Sequence, residues 1–87
     1  MICKKIRVHV KDGFHLRPVE LLCNKTLEYE CTIQIIKGDR IANAKSFLSV
    51  LACQIQEGDL VEFTFDGKDE EQASIEVIEF IQQRIQE

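Results

Sequence analysis

Eighty-seven residues, 45% of them apolar, suit one globular domain with its own core and are too apolar for a disordered chain. A net charge of −4, without a Lys/Arg-rich stripe, argues against nucleic acid as partner, because such affinity rests on basic groups meeting phosphates. No apolar run approaches the ~20 residues that span a bilayer, and Met1 to Arg7 lacks the apolar stretch of a secretory signal, so a cytoplasmic protein without membrane insertion is expected.

In chain order, Ile6, Val8 and Val10 alternate with Arg7, His9 and Lys11, which predicts a strand with one buried face and His9 on the solvated side. Asp12-Gly13 ends it with a turn. From Leu16 to about Glu28, Leu16, Val19, Cys23 and Leu27 fall on one helical stripe with Leu22 beside it. Pro18 is compatible with this helix, since a first turn needs no N–H there. Cys31, Ile33 and Ile35 predict a second strand, Lys37-Gly38-Asp39 a hairpin turn, and Ile41 to Ala44 a short third strand at or near an edge. Ser46 to Cys53 reads as a short helix with Ser46 as N-cap. After a turn at Glu57-Gly58-Asp59, Val61, Phe63 and Phe65 alternate as a fourth strand, which Asp66-Gly67 ends. Asp69 is placed to cap the last helix, with Gln72 in the capping-box position and Ala73, Val77, Phe80, Ile81 and Ile85 as its apolar stripe.

The order βαββαβα, with one polar face on the strands, implies an α+β open-faced sandwich: a four-stranded antiparallel sheet with three helices on one face, in a single domain over residues 1–87. Cys3, Cys23, Cys31 and Cys53 have neither zinc-site spacing nor a Cys-x-x-Cys pair, so four free, mostly buried thiols are expected. No metal or cofactor is called for.

The chemistry concentrates in Asp12-Gly13-Phe14-His15-Leu16-Arg17-Pro18, where the first strand turns into the first helix. His15 falls at or beside the N-cap. The first N–H groups of a helix lack internal partners and carry partial positive charge, so together they form an anion site. Arg17 adds a charged fork suited to phosphate oxygens. An imidazole, ordinarily with a pKa of about 6.5, is a nucleophile near neutral pH. It could take a phosphoryl group, which would then lie against these donors. The composition alone favours the plainer reading, a surface histidine in a strand–helix loop with a solvated arginine beside it.

Gly13-Phe14-His15-Leu16-Arg17-Pro18 resembles the active-site signature of the HPr family, the phosphocarriers of the bacterial sugar phosphotransferase system. Asn43-Ala44-Lys45-Ser46, followed by an apolar helix, resembles the family's second signature, and the later turns and elements fall in the family's order over nearly the whole chain. The resemblance implies a phosphocarrier rather than a turnover enzyme. Enzyme I would phosphorylate His15 at Nδ1, Arg17 and the backbone at Leu16 and Arg17 would hold the phosphoryl group, and an EIIA domain would receive it. It also implies that Phe47, Leu48 and Leu51 dock these partners. The pattern alone leaves open whether that helix is simply buried, although Phe47, Leu48, Val50 and Leu51 cannot all face inward on two turns. For Ser46 two readings stand, a plain N-cap or a regulatory site for an HPr kinase/phosphorylase. The second belongs to an alternative in which the chain is a regulatory paralogue that binds proteins such as a transcription regulator. A monomer is expected.

Three positions depart from the family pattern. Leu16 is larger than the small residue expected between His15 and Arg17. Glu20, after Val19, is three residues from Arg17 and able to pair with it. Gln54 stands where a glycine often closes the second helix.

Overall fold

The structure is a computed structural model and describes residues 1–86. The elements are β1 (Ile2–Arg7), α1 (Leu16–Thr26), β2 (Thr32–Lys37), β3 (Arg40–Asn43), α2 (Phe47–Ala52), β4 (Leu60–Asp66) and α3 (Glu70–Phe80), which runs on into a π-helical turn at Ile81–Ile85. The strands form one antiparallel sheet in the order β1-β4-β2-β3. The expected α+β architecture is therefore present, with β3 at an edge as anticipated.

The central strands explain the sheet. Ile33 and Ile35 on β2 stand beside Phe65 and Phe63 on β4, and all four are fully buried. Burying each such side chain stabilises the fold by roughly 1.5–3 kcal/mol. The Phe63 and Phe65 rings lie stacked, 6.3 Å between centroids. Val19 and Leu22 from α1, Val50 from α2 and Val77 from α3 complete one continuous core.

Several boundaries differ from the sequence expectation, each for a physical reason. The first strand lies earlier, at Ile2–Arg7, because its ladder with β4 ends at the Arg7–Leu60 pair. Val8 instead meets the turn before β4: its N–H donates to Asp59 O (2.8 Å), and its O accepts from Gly58 N–H (2.8 Å). Val8 and Val10 are buried all the same. On α1 the buried stripe is rotated toward Pro18, Leu22 and Thr26, leaving Leu16 and Leu27 exposed at the two ends. Thr26 can be buried because its hydroxyl donates to Ala44 O (2.8 Å), satisfying the polar atom.

Asp69 occupies the N-cap position of α3 but makes no side-chain cap bond. Its two carboxylate oxygens accept from the N–H groups of Glu30 and Cys31, both at 2.9 Å, and so tie the α1–β2 loop to the start of α3. Gln72 pairs with Glu76 rather than closing a capping box. All four cysteines are free; Cys23, Cys31 and Cys53 are buried and Cys3 is exposed.

Candidate functional site

The loop between β1 and α1 is shaped by two successive left-handed residues, Asp12 (φ 65°) and Gly13 (φ 70°). Gly13 donates to Val10 O (2.7 Å), closing the turn, and Phe14 donates to Ile55 O (2.9 Å), fastening the loop to the segment after α2. A Cβ at position 13 would come within 2.5 Å of Ile55 O, so the close approach requires glycine. The Phe14 side chain is buried and anchors the loop, while the next residue, His15, is exposed.

His15 is the N-cap of α1, in extended conformation (φ −92°, ψ −165°), and its ring makes no capping bond. The first ladder bond of the helix runs from Val19 N–H to His15 O (3.1 Å). The N–H groups of Leu16 and Arg17 precede that ladder, and Pro18 has none to offer. His15 and Arg17 line one open groove at the start of α1, beside these two backbone donors. Arg17 Nη1 pairs with Glu20 Oε1 at 2.8 Å, as its spacing allows. Both side chains are largely exposed, so this pair is worth at most about 1 kcal/mol and yields readily to a stronger anion.

The second motif builds the approach to α2. Asn43 Oδ1 accepts from Lys45 N–H (3.0 Å), and Asn43 O accepts from Ser46 N–H (3.0 Å). Lys45 Nζ donates to Tyr29 O (2.6 Å), fixing the turn against the α1–β2 loop. Ser46 caps α2 by accepting from Ser49 N–H at 3.3 Å. On α2 only Val50 is fully buried; Leu48 is 75% exposed, Phe47 36%, and Leu51 is half-buried. With Leu16 exposed on α1, which packs against α2, the molecule presents apolar side chains on both helices.

A family model described as "PTS HPr component phosphorylation site" matches residues 2–83. This chain belongs to the HPr family. The phosphocarrier protein HPr of Mycoplasma capricolum is 33% identical over 63 residues, covering 72% of this chain and 71% of its own. The HPr-like protein Crh of Halalkalibacterium halodurans is 29% identical over 82 residues, covering 94% and 98%. Among solved structures, HPr from Thermoanaerobacter tengcongensis superposes with a TM-score of 0.89 at 27% identity, over 94% of this chain and 92% of that one. The matches thus include both HPr and Crh. Among the described residues no helix is long and apolar enough to cross a membrane.

Beyond the HPr signatures, one further residue borders the site and a second fixes the turn that carries it. Arg84 lines the same open groove, of about 390 Å³, as His15 and Arg17. Gln86 holds the C-terminal turn against the strand end: its Oε1 accepts from His9 N–H (2.7 Å) and its Nε2 donates to Arg7 O (2.9 Å). A 3.6-residue period gives no signal for this placement, because the chain passes into a π-helical turn there.

Proposed function

We propose that this HPr-family protein is a cytoplasmic phosphocarrier that accepts a phosphoryl group on His15 from enzyme I and passes it to EIIA domains for sugar uptake. The observation that carries the reading is the exposed, uncapped imidazole of His15 set beside the N–H groups of Leu16 and Arg17 and the Arg17 guanidinium. In the forward step the neutral ring nitrogen, Nδ1 in this family, attacks phosphorus. A new N–P bond forms as the donor's bond to phosphorus breaks, and the donor keeps that electron pair. The helix N–H groups and Arg17 hold the transferred oxygens, which is mostly positioning and electrostatics and needs no metal. The second transfer reverses these roles, so the protein ends unchanged and acts as a carrier rather than a turnover enzyme.

Exposed Leu48 and half-exposed Phe47, with Leu51, support docking of enzyme I and EIIA over α2. One continuous core runs through the helices and the sheet, which supports a single domain over residues 1–87, and we take its working form to be a monomer. A second, regulatory reading draws on Ser46. Its hydroxyl is partly exposed and holds only a long capping bond, so a kinase could modify it without removing a buried contact.

The test is phosphorylation by enzyme I and phosphoenolpyruvate, with His15→Ala alongside. One acid-labile phosphoryl group is expected on the native protein and none on the variant. No labelling of the native protein by enzyme I of the same cell would overturn the carrier reading and leave Ser46 as the residue to follow.

A further inference from the structure

Arg84 combines a fixed backbone with a charge that has no partner among the described residues. It lies on the π-helical turn between two buried anchors, Ile81 and Ile85, and the turn is closed by Gln86 N–H donating to Ile81 O at 2.7 Å. The Gln86 side chain then ties the turn to Arg7 and His9, at the start of the loop that carries His15. π-Helical turns of this kind are rare and often accompany functional sites. Arg84 lines the groove of His15 and Arg17, and it lines a second groove with Arg17, Leu21 and Phe80.

The charges in the first groove favour an anion. Lys11 and Asp12 contribute one of each sign, and the two arginines add two positive charges. Arg17 is engaged by Glu20, whereas Arg84 forms no ion pair or hydrogen bond among the described residues. Like charges held around one groove repel, and an anion between them relieves that repulsion. A phosphoryl group on His15 carries more than one negative charge and three acceptor oxygens, more than a single guanidinium saturates.

We propose that Arg84 is a second guanidinium ligand for the phosphoryl group on His15, forming with Arg17 a clamp that closes from the C-terminal turn. The inference rests on His15 as phosphoryl acceptor, but not on any particular donor. Arg84 makes and breaks no covalent bond; it stabilises the charged, phosphorylated state. It also compensates for Glu20, which competes for Arg17.

The test loads His15 chemically with phosphoramidate, where the ring nitrogen displaces ammonia from phosphorus, and follows the phosphoryl group by phosphorus NMR against pH. Removing a nearby cation makes the phosphoryl group easier to protonate, so Arg84→Gln should raise its pKa by about 0.5–1 unit, the scale of a three- to tenfold change in protonation equilibrium. Arg84→Lys should retain part of the effect, and the Arg84 Nε resonance of the native protein should move on phosphorylation. An identical titration in native and Arg84→Gln proteins, with an unmoved Arg84 resonance, would overturn the clamp. Failure of enzyme I to load His15 would overturn the carrier reading instead, and the chemically loaded protein would still decide the role of Arg84.

Discussion

Gln54 shows how one side chain is held where the backbone favours none. It follows the C-cap of α2 in the left-handed region (φ 55°), and its N–H reaches back to Leu51 O (3.1 Å). It stands where a glycine often closes this helix in the family pattern, and the backbone takes a conformation that favours glycine with glutamine in it. Partial compensation comes from Arg40, which donates to Gln54 Oε1 at 2.9 Å, and from Lys37, which donates to the backbone O at 2.6 Å. The first of these bonds is exposed and weak, while a left-handed L-residue costs about 1–2 kcal/mol. Gln54→Gly keeps the Lys37 bond and removes the strain, so a net gain of about 0.5–1 kcal/mol is expected after glycine's extra entropy cost. A higher urea midpoint with unchanged m-value would show it. A lower midpoint would mean that the Arg40 contact outweighs the strain. Leu16 poses the milder case of a large residue at a small-residue position: it is 64% exposed and so fills no gap in the core.

At the level of elements, the site depends on how the β1–α1 loop is pinned to the segment after α2. Gly13→Ala would press a methyl group against Ile55 O and Gln56 Cα, at 2.5 and 2.6 Å, and both are backbone atoms that cannot swing aside. Together with the left-handed φ, a loss of roughly 2–4 kcal/mol is expected, and His15 phosphorylation should fall because the loop that aims the ring must move. Gly38→Ala is the control: its φ is also positive (59°), but nothing lies within 4 Å. It should cost only about 1 kcal/mol and leave phosphorylation unchanged, as denaturation and labelling assays on the two variants would show. The sequence made the central strands legible because Ile33, Ile35, Val61, Phe63 and Phe65 alternate strictly and one face is fully buried. The placement of His15 and Arg17 at the start of α1 was legible because a short motif at a strand–helix junction is local in sequence. Long-range partners were not. Asp69 has every local mark of a cap, yet its carboxylate serves backbone N–H groups 38 and 39 residues away. Gln86 bonds to His9 across 77 residues, which no local pattern encodes.

Across the whole molecule, the ionisable groups bracket a window of maximal stability. Backbone N–H groups, first that of Glu30, hold the Asp69 carboxyl below its ordinary value. Those of Gln56 and Gly67 do the same for Asp59 and Glu70, and the Tyr29 hydroxyl does so for Glu76. Carboxyls with depressed folded values contribute stability above their unfolded values, about 3.9 for Asp and 4.3 for Glu, and lose it as pH falls through the folded ones. At the other end, burial pushes the Cys31 thiol up to about 11 and raises the Cys23 and Cys53 thiols and the Tyr29 hydroxyl. A raised folded value means that the folded state holds its proton more tightly, so this stability is present below the ordinary thiol value of about 8.5 and is lost as pH rises through the folded one. Urea midpoints should therefore form a plateau from about pH 5 to 8 and fall on both sides. Asp69→Asn separates one contributor from the rest. The neutral amide has a single carbonyl acceptor for the Glu30 and Cys31 N–H groups and no charge to strengthen it, so the variant should be less stable at neutral pH. Because Asn does not titrate, the difference from the native protein should shrink as pH falls and Asp69 takes up its proton. Two curves that run parallel down to pH 3 would mean that the Asp69 charge contributes nothing, and that only the shape of its side chain ties the loop to α3.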